Sequence, residues 1–184
     1  MARTPSNMLP LGTKAPDFKL IDTVTDNILS LEEIKGSQGT VIMFICNHCP
    51  FVIHVNEQLV TLARIYQAQG IGFAAISSND VVNYPQDSPD LMKKTAQRLG
   101  YPFPYLYDET QEVARSYDAA CTPDFYLFDS NLSLVYRGQL DDSRPGNGIP
   151  VSGSDLRSAL DQLLNGEKVS EKQKPSIGCN IKWK

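Results

Sequence analysis

Five apolar residues in unbroken succession, Val41-Ile42-Met43-Phe44-Ile45, run directly into Cys46-Asn47-His48-Cys49 and then into Pro50. A short apolar run with no polar alternation has no face to offer water. It reads as a central strand covered on both sides. Pro50 lacks a backbone N–H and fits only the first turn of a helix. Beyond it Val52, Val55, Leu59, Leu62, Ala63 and Tyr66 recur at spacings of three and four, and Gly70 ends the run. The chain must therefore turn from a buried strand into an amphipathic helix at a pair of thiols. Two cysteines three positions apart at such a turn can close a disulfide with little chain movement. The positive end of the helix dipole also favours a thiolate there. Cys46 and Cys49 are the candidate redox pair.

The remaining pattern alternates strands and helices. Asp17 to Asp22 reads as a short strand with a turn over Thr23 to Asn27, and Ile71 to Ser77 as a second buried strand. A polar stretch with Pro85 and Pro89 leads to a helix over Leu91–Leu99, stopped by Gly100. Phe103 to Tyr107 reads as a brief strand and Glu112 to Tyr117 as a helical turn or two. Phe125 to Phe128 and Leu132 to Tyr136 flank Asp129-Ser130-Asn131 as a hairpin. Ser152 and Asp155 form a capping-box pattern for a last helix carrying Leu156, Ala159, Leu160, Leu163 and Leu164 on one face, with Gly166 ending it. Strand–helix–strand crossovers followed by a hairpin and a closing helix give an α/β fold, a mixed sheet with helices on both faces.

The 184 residues suit one domain, residues 1–184, with a core large enough to need no disulfide staples. Seventeen basic against 21 acidic residues give a net charge of −4, with no basic stripe for nucleic acid. No apolar run approaches the roughly 18 residues of a membrane span. The stretch Met1 to Asn7 lacks the apolar segment of a signal peptide, so a cytoplasmic location is expected. There a close cysteine pair is catalytic or metal-binding more often than structural.

Three segments carry a family resemblance. Gly12-Thr13-Lys14-Ala15-Pro16-Asp17-Phe18-Lys19-Leu20 looks like a redoxin opening, Cys46-Asn47-His48-Cys49 closes the central strand, and Cys121-Thr122-Pro123-Asp124-Phe125 precedes the hairpin. Together they resemble the thioredoxin-like superfamily, closest to the redoxin branch of alkyl hydroperoxide reductase/thiol-specific antioxidant proteins and TlpA/ResA-type thiol–disulfide reductases. The resemblance spans roughly residues 10 to 165 and leaves the tail, about 167–184, outside the common fold.

The resemblance implies a thioredoxin-like fold with an N-terminal redoxin extension and a thiol–disulfide oxidoreductase that needs no cofactor or metal. Cys46 is then the more exposed attacking thiol and Cys49 the resolving one, joined as a Cys46–Cys49 redox disulfide. Pro123 is expected to be cis beside the pair, with Thr122 pairing its backbone to an extended substrate segment. The implied partners are a disulfide-bearing protein or small disulfide as substrate, and a dithiol protein or small thiol as reductant. His48 lies between the cysteines as in the oxidising DsbA-type motif. It either supports the thiolate or simply faces solvent, while His54 reads as an ordinary surface or packing residue.

Cys121 reads as a buried thiol or an additional redox thiol. Cys179, in a tail with no clear structure, reads either as a further redox thiol or as a passive one. Asp141 to Gly148 reads as an exposed loop, or one folded back over the pair. Two departures from the family stand out. No acid lies in Val41–Ile45 to handle protons, and the peroxidase pattern Pro-x-x-x-Thr-x-x-Cys and an arginine before Phe125 are both missing. A thiol peroxidase is accordingly the second reading, and a metal-binding or copper-chaperone module using Cys46, Cys49 and a histidine the third.

Overall fold

The computed structural model describes residues 3–184, so Met1 and Ala2 of the N-terminal stretch lie outside the described residues. In chain order the elements are β1 (Arg3–Pro5), β2 (Lys19–Asp22), β3 (Ile28–Ser30), α1 (Leu31–Ile34), β4 (Gly39–Phe44), α2 (Pro50–Gln67) and β5 (Ile71–Ser77). A 3-10 turn (Pro85–Asp87), α3 (Pro89–Leu99), β6 (Tyr105–Tyr107), α4 (Glu112–Ser116) and β7 (Cys121–Thr122) follow. The chain continues through β8 (Asp124–Asp129), β9 (Leu134–Gly138), α5 (Ser154–Leu164) and β10 (Ile177–Asn180).

Seven strands form one mixed sheet in the order β3-β2-β6-β5-β4-β8-β9. β4 lies at its heart, parallel to β5 and antiparallel to β8. Its apolar run is buried throughout because successive side chains enter two different cores. Val41, Met43 and Ile45 pack with Val52, Leu59, Leu62 and Tyr66 of α2 and with Leu156 and Leu160 of α5. Ile42 and Phe44 face the other way, toward Leu31, Ala114, Tyr117 and Phe128. Both faces are dry, as the unbroken run requires. Among the described residues no helix is long and apolar enough to cross a membrane.

Two local expectations change, and the open reading of one loop is decided. The tail is not structureless: β10 is the middle strand of a second sheet, β1-β10-β7, with Cys179 opposite Thr122 and Arg3 opposite Cys179. The capping box does not form, because the Asp141 carboxylate takes the backbone N–H groups of Ser152 and Gly153 at 2.7 and 2.6 Å. Gly153, at a φ of +69°, becomes the N-cap of α5, and Asp155 accepts instead from Gln139 Nε2 at 2.8 Å. The Asp141–Gly148 loop is only partly exposed, since Asp141 and Ser143 are buried. It folds back so that Arg144 and Pro145 border a small cleft with Phe51 and Pro123.

Candidate active site

The strand β4 delivers Cys46 and the helix α2 starts on Cys49, its N-cap residue. Val52 and Ile53 donate their N–H groups to the Cys49 carbonyl at 3.0 Å each. From the opposite side β7 brings Thr122, and the Thr122–Pro123 peptide bond is cis. Thr122 Oγ1 lies 3.5 Å from Cys46 Sγ, and the Thr122 carbonyl 3.2 Å from Cys49 Sγ. The structure therefore brings Cys46, Cys49, Thr122 and Pro123 together. Neither thiol is open to solvent, at 2% and 0% exposure for Cys46 and Cys49.

The charge of the pair sits differently from the expected arrangement. Cys46 is held well above the ordinary thiol range, first by sharing its proton with the Cys49 sulfur, then by burial and by the negative charge of Asp87. Cys49 is pulled down to about 5. The hydrogen bond from Cys46 is the main cause, with those from Cys179 and Val52 N–H adding to it against the cost of burial. The Thr122 carbonyl beside Cys49 is a neighbour that favours the protonated form. One proton thus serves two sulfurs, and Cys49 is the more acidic of the two.

Asp87 escaped the sequence reading. Its side chain is completely buried. It accepts hydrogen bonds from Asn47 N–H at 2.8 Å, from Asn79 Nδ2 at 2.8 Å and from His48 Nδ1 at 2.6 Å. It is the buried acid that β4 lacks, supplied from the 3-10 turn instead. Only the two prolines around it marked that segment in the sequence, and nothing local tied it to the cysteines. Because a carboxylate only accepts, His48 Nδ1 carries a proton aimed at Asp87, although it also lies 4.0 Å from Cys46 Sγ. The same ring nitrogen faces both groups, so His48 does not relay a proton between them. The imidazole stacks on Tyr84, with ring centroids 5.9 Å apart. His48 is half-buried, which removes the reading of a merely solvent-facing histidine.

Cys179 lies at the pair, its sulfur 2.7 Å from Cys49 Sγ. Cys121 does not face it so directly. Its Sγ points to the Pro123 carbonyl at 3.8 Å, and burial first, then the Asp124 charge, raise its thiol far above the ordinary range. His54 Nε2 donates to Ser143 Oγ at 2.7 Å, and the Ser143 proton goes to the Ile149 carbonyl. The expected pairing of the Thr122 backbone with a substrate strand is pre-empted, because β10 of the same chain occupies that edge. Gly178 makes this possible: a Cβ there would come within 1.9 Å of the Thr122 carbonyl oxygen.

For a metal, one ligand atom each from Cys46, His48 and Asp87 lie within 4.8 Å of one another. That set is thiolate, imidazole and carboxylate, a combination suited to zinc. Both Asp87 oxygens and His48 Nδ1 are already committed to hydrogen bonds, so an ion would have to displace them.

The comparisons with known proteins agree with this geometry. A sequence model of the AhpC/TSA family matches residues 11–137, more than half of the chain. The chain belongs to the AhpC/TSA family. Thiol-disulfide oxidoreductase ResA of Geobacillus kaustophilus (strain HTA426) is 27% identical over 128 residues, covering 70% of this chain and 68% of that protein. The crystal structure of an uncharacterized conserved protein from Geobacillus kaustophilus superposes with a TM-score of 0.98 at 64% identity, covering 100% of this chain and 97% of the other. The thioredoxin domain of a thiol-disulfide oxidoreductase from Bacteroides vulgatus has a TM-score of 0.61 at 21% identity, covering 73% of this chain and 91% of that one. That last likeness establishes the thioredoxin-like fold.

Proposed function

We propose that the chain is a thiol–disulfide oxidoreductase whose working couple is Cys46 and Cys49. The observation that carries this is the hydrogen-bonded sulfur pair where β4 turns into α2, facing Thr122 and a cis Pro123. Cys46 is the attacking thiol in this reading. Cys49 is walled in by Cys179, Thr122 and its own helix, whereas Cys46 borders the half-exposed Asn47 and His48. When a disulfide reaches the site, the proton on Cys46 moves to Cys49 and the Cys46 thiolate attacks one substrate sulfur. The other substrate sulfur leaves as a thiolate. Cys49 then gives up that proton to the departing thiolate and attacks the Cys46 sulfur, which releases the second substrate sulfur as a thiolate and leaves a Cys46–Cys49 disulfide. An external dithiol protein or small thiol restores the pair.

Because β10 covers the edge of Thr122, substrate recognition falls to the groups around Cys46, namely His48 and the Tyr84 ring stacked on it. The proposed setting is the reducing cytoplasm, since the cysteines gather at one site instead of stapling distant elements. The test is reduction of insulin disulfides with dithiothreitol as electron donor. Cys46→Ser is expected to lose at least about 100-fold of the activity, as removal of a nucleophile does. A variant that keeps the wild-type rate sinks the assignment. Redox titration then gives the direction: a potential near about −270 mV marks a reductant, one near about −120 mV an oxidant.

A further inference from the structure

The catalytic cycle just described uses two thiols, but three sulfurs meet at the site. Cys49 is the middle one: it is hydrogen-bonded to Cys46 on one side and lies 2.7 Å from Cys179 Sγ on the other. Cys179 is fixed there by its strand. β10 pairs with β1 and β7 at once, placing Cys179 opposite both Arg3 and Thr122. The close approach of Gly178 to the Thr122 carbonyl leaves the strand no room to slide. Beyond it, Ile181 N–H donates to the Ala120 carbonyl at 3.0 Å and Lys182 N–H to Asn79 Oδ1 at 2.9 Å. The tail is thereby tied to the loop that also holds Asp87, since Asn79 Nδ2 donates to that carboxylate.

We propose that Cys179 is a third redox thiol, which takes over the disulfide at Cys49 and sets Cys46 free for a second attack. Resting on the oxidoreductase reading, the step starts from the Cys46–Cys49 disulfide. The Cys179 sulfur attacks Cys49 Sγ, the Cys46–Cys49 bond breaks, and a Cys49–Cys179 bond forms. Cys46 leaves as a thiolate and receives the proton that Cys179 gives up. One disulfide replaces another, so the chain gains and loses no electrons and needs no further oxidant. Attack at Cys49 is the geometry available, because Cys179 Sγ lies 2.7 Å from Cys49 Sγ. In the reduced protein burial first, and then the Cys49 sulfur, hold Cys179 up at about 12. Once Cys49 is in a disulfide it carries no charge, and that opposition to ionising Cys179 disappears. The product is a disulfide stored under β10, with the substrate-facing sulfur returned to the thiol form.

The test is to oxidise the full chain with one equivalent of oxidised glutathione, quench in acid, block remaining thiols with N-ethylmaleimide under denaturing conditions, and map the bonds by mass. Two linked species are expected: Cys46–Cys49 with Cys179 alkylated, and Cys49–Cys179 with Cys46 alkylated. In Cys179→Ser only the first should remain. In Cys46→Ser, diamide should close Cys49–Cys179 directly, and circular dichroism verifies that this variant is folded. A wild-type map showing Cys46–Cys49 alone, with Cys179 fully alkylated, overturns the third-thiol proposal and leaves the oxidoreductase reading intact. Absence of both linked species, together with no insulin reduction, overturns both.

Discussion

Asp124 offers the sharpest quantitative test of the packing. It follows the cis proline at the start of β8, opposite Phe44 of β4, and is completely buried. Its carboxyl accepts from Tyr126 Oη at 3.0 Å and from Phe125 N–H at 3.1 Å, with the Ser6 side chain a further hydrogen-bond partner. Burial pushes it up to about 8, outweighing those hydrogen bonds. The sign follows from linkage. An acid whose folded value lies above its unfolded 3.8 binds more proton in the folded state through that window. Stability from this group is therefore intact at low pH and is lost as pH rises from about 4 to about 8. One proton corresponds to about 1.4 kcal/mol per pH unit. Cys49, pulled down to about 5, contributes with the opposite sign over an overlapping range, so wild-type stability alone hides both effects.

Asp124→Asn isolates the acid, because the amide resembles the protonated carboxyl in shape and stays neutral. Urea unfolding of both proteins at several pH values reads the difference. Asp124→Asn is expected to gain on the wild type by about 3 kcal/mol between about pH 5 and about pH 7. A difference that stays flat across that interval refutes the reasoning, since Asp124 would then titrate alike in the folded and unfolded chains.

Other outcomes follow from the same geometry. Asp87→Asn removes the negative charge that helps hold the Cys46 proton, so the pH profile of Cys46 alkylation should shift to lower pH; an unmoved profile removes Asp87 from the thiol's electrostatics. Gly178→Ala drives a methyl into the Thr122 carbonyl and should cost about 2 kcal/mol or more of unfolding free energy, as overpacking does, with faster amide exchange confined to β1, β7 and β10. Wild-type stability would show that β10 can shift. Hydrogen peroxide turnover with dithiothreitol should be no faster than that of a free thiol, because Cys46 holds its proton and Cys49, the more acidic sulfur, is fully buried. A rate orders of magnitude higher would restore the peroxidase reading.

The parts of this molecule that rest on local pattern were readable from the chain. Val41 to Ile45 had to be covered on both faces, Pro50 had to open a helix, and the turn between them had to carry the two thiols. The hairpin around Asp129-Ser130-Asn131 was equally local. What stayed hidden depends on partners distant in sequence. Asp87 reaches His48 across 39 positions, and Cys179 reaches Cys49 across 130. Ser152 and Asp155 had the spacing of a capping box, but Asp141 took the Ser152 N–H that Asp155 would have accepted, which no window around the helix start could reveal. The family resemblance pointed to Cys46 as the attacking thiol, and the lowering of Cys49 by its sulfur neighbours was not legible in the chain.

The threading of β10 between β1 and β7 also sets an order of events in folding. The Cys46–Cys49 pair needs only the local turn from β4 into α2, a contact of low entropic cost. The meeting of Cys49 with Cys179 requires closing a loop of 130 residues, which comes late in a folding chain. Until that closure Cys49 lacks the Cys179 sulfur beside it. Only docking of the last strand gives Cys49 its second donor and covers it.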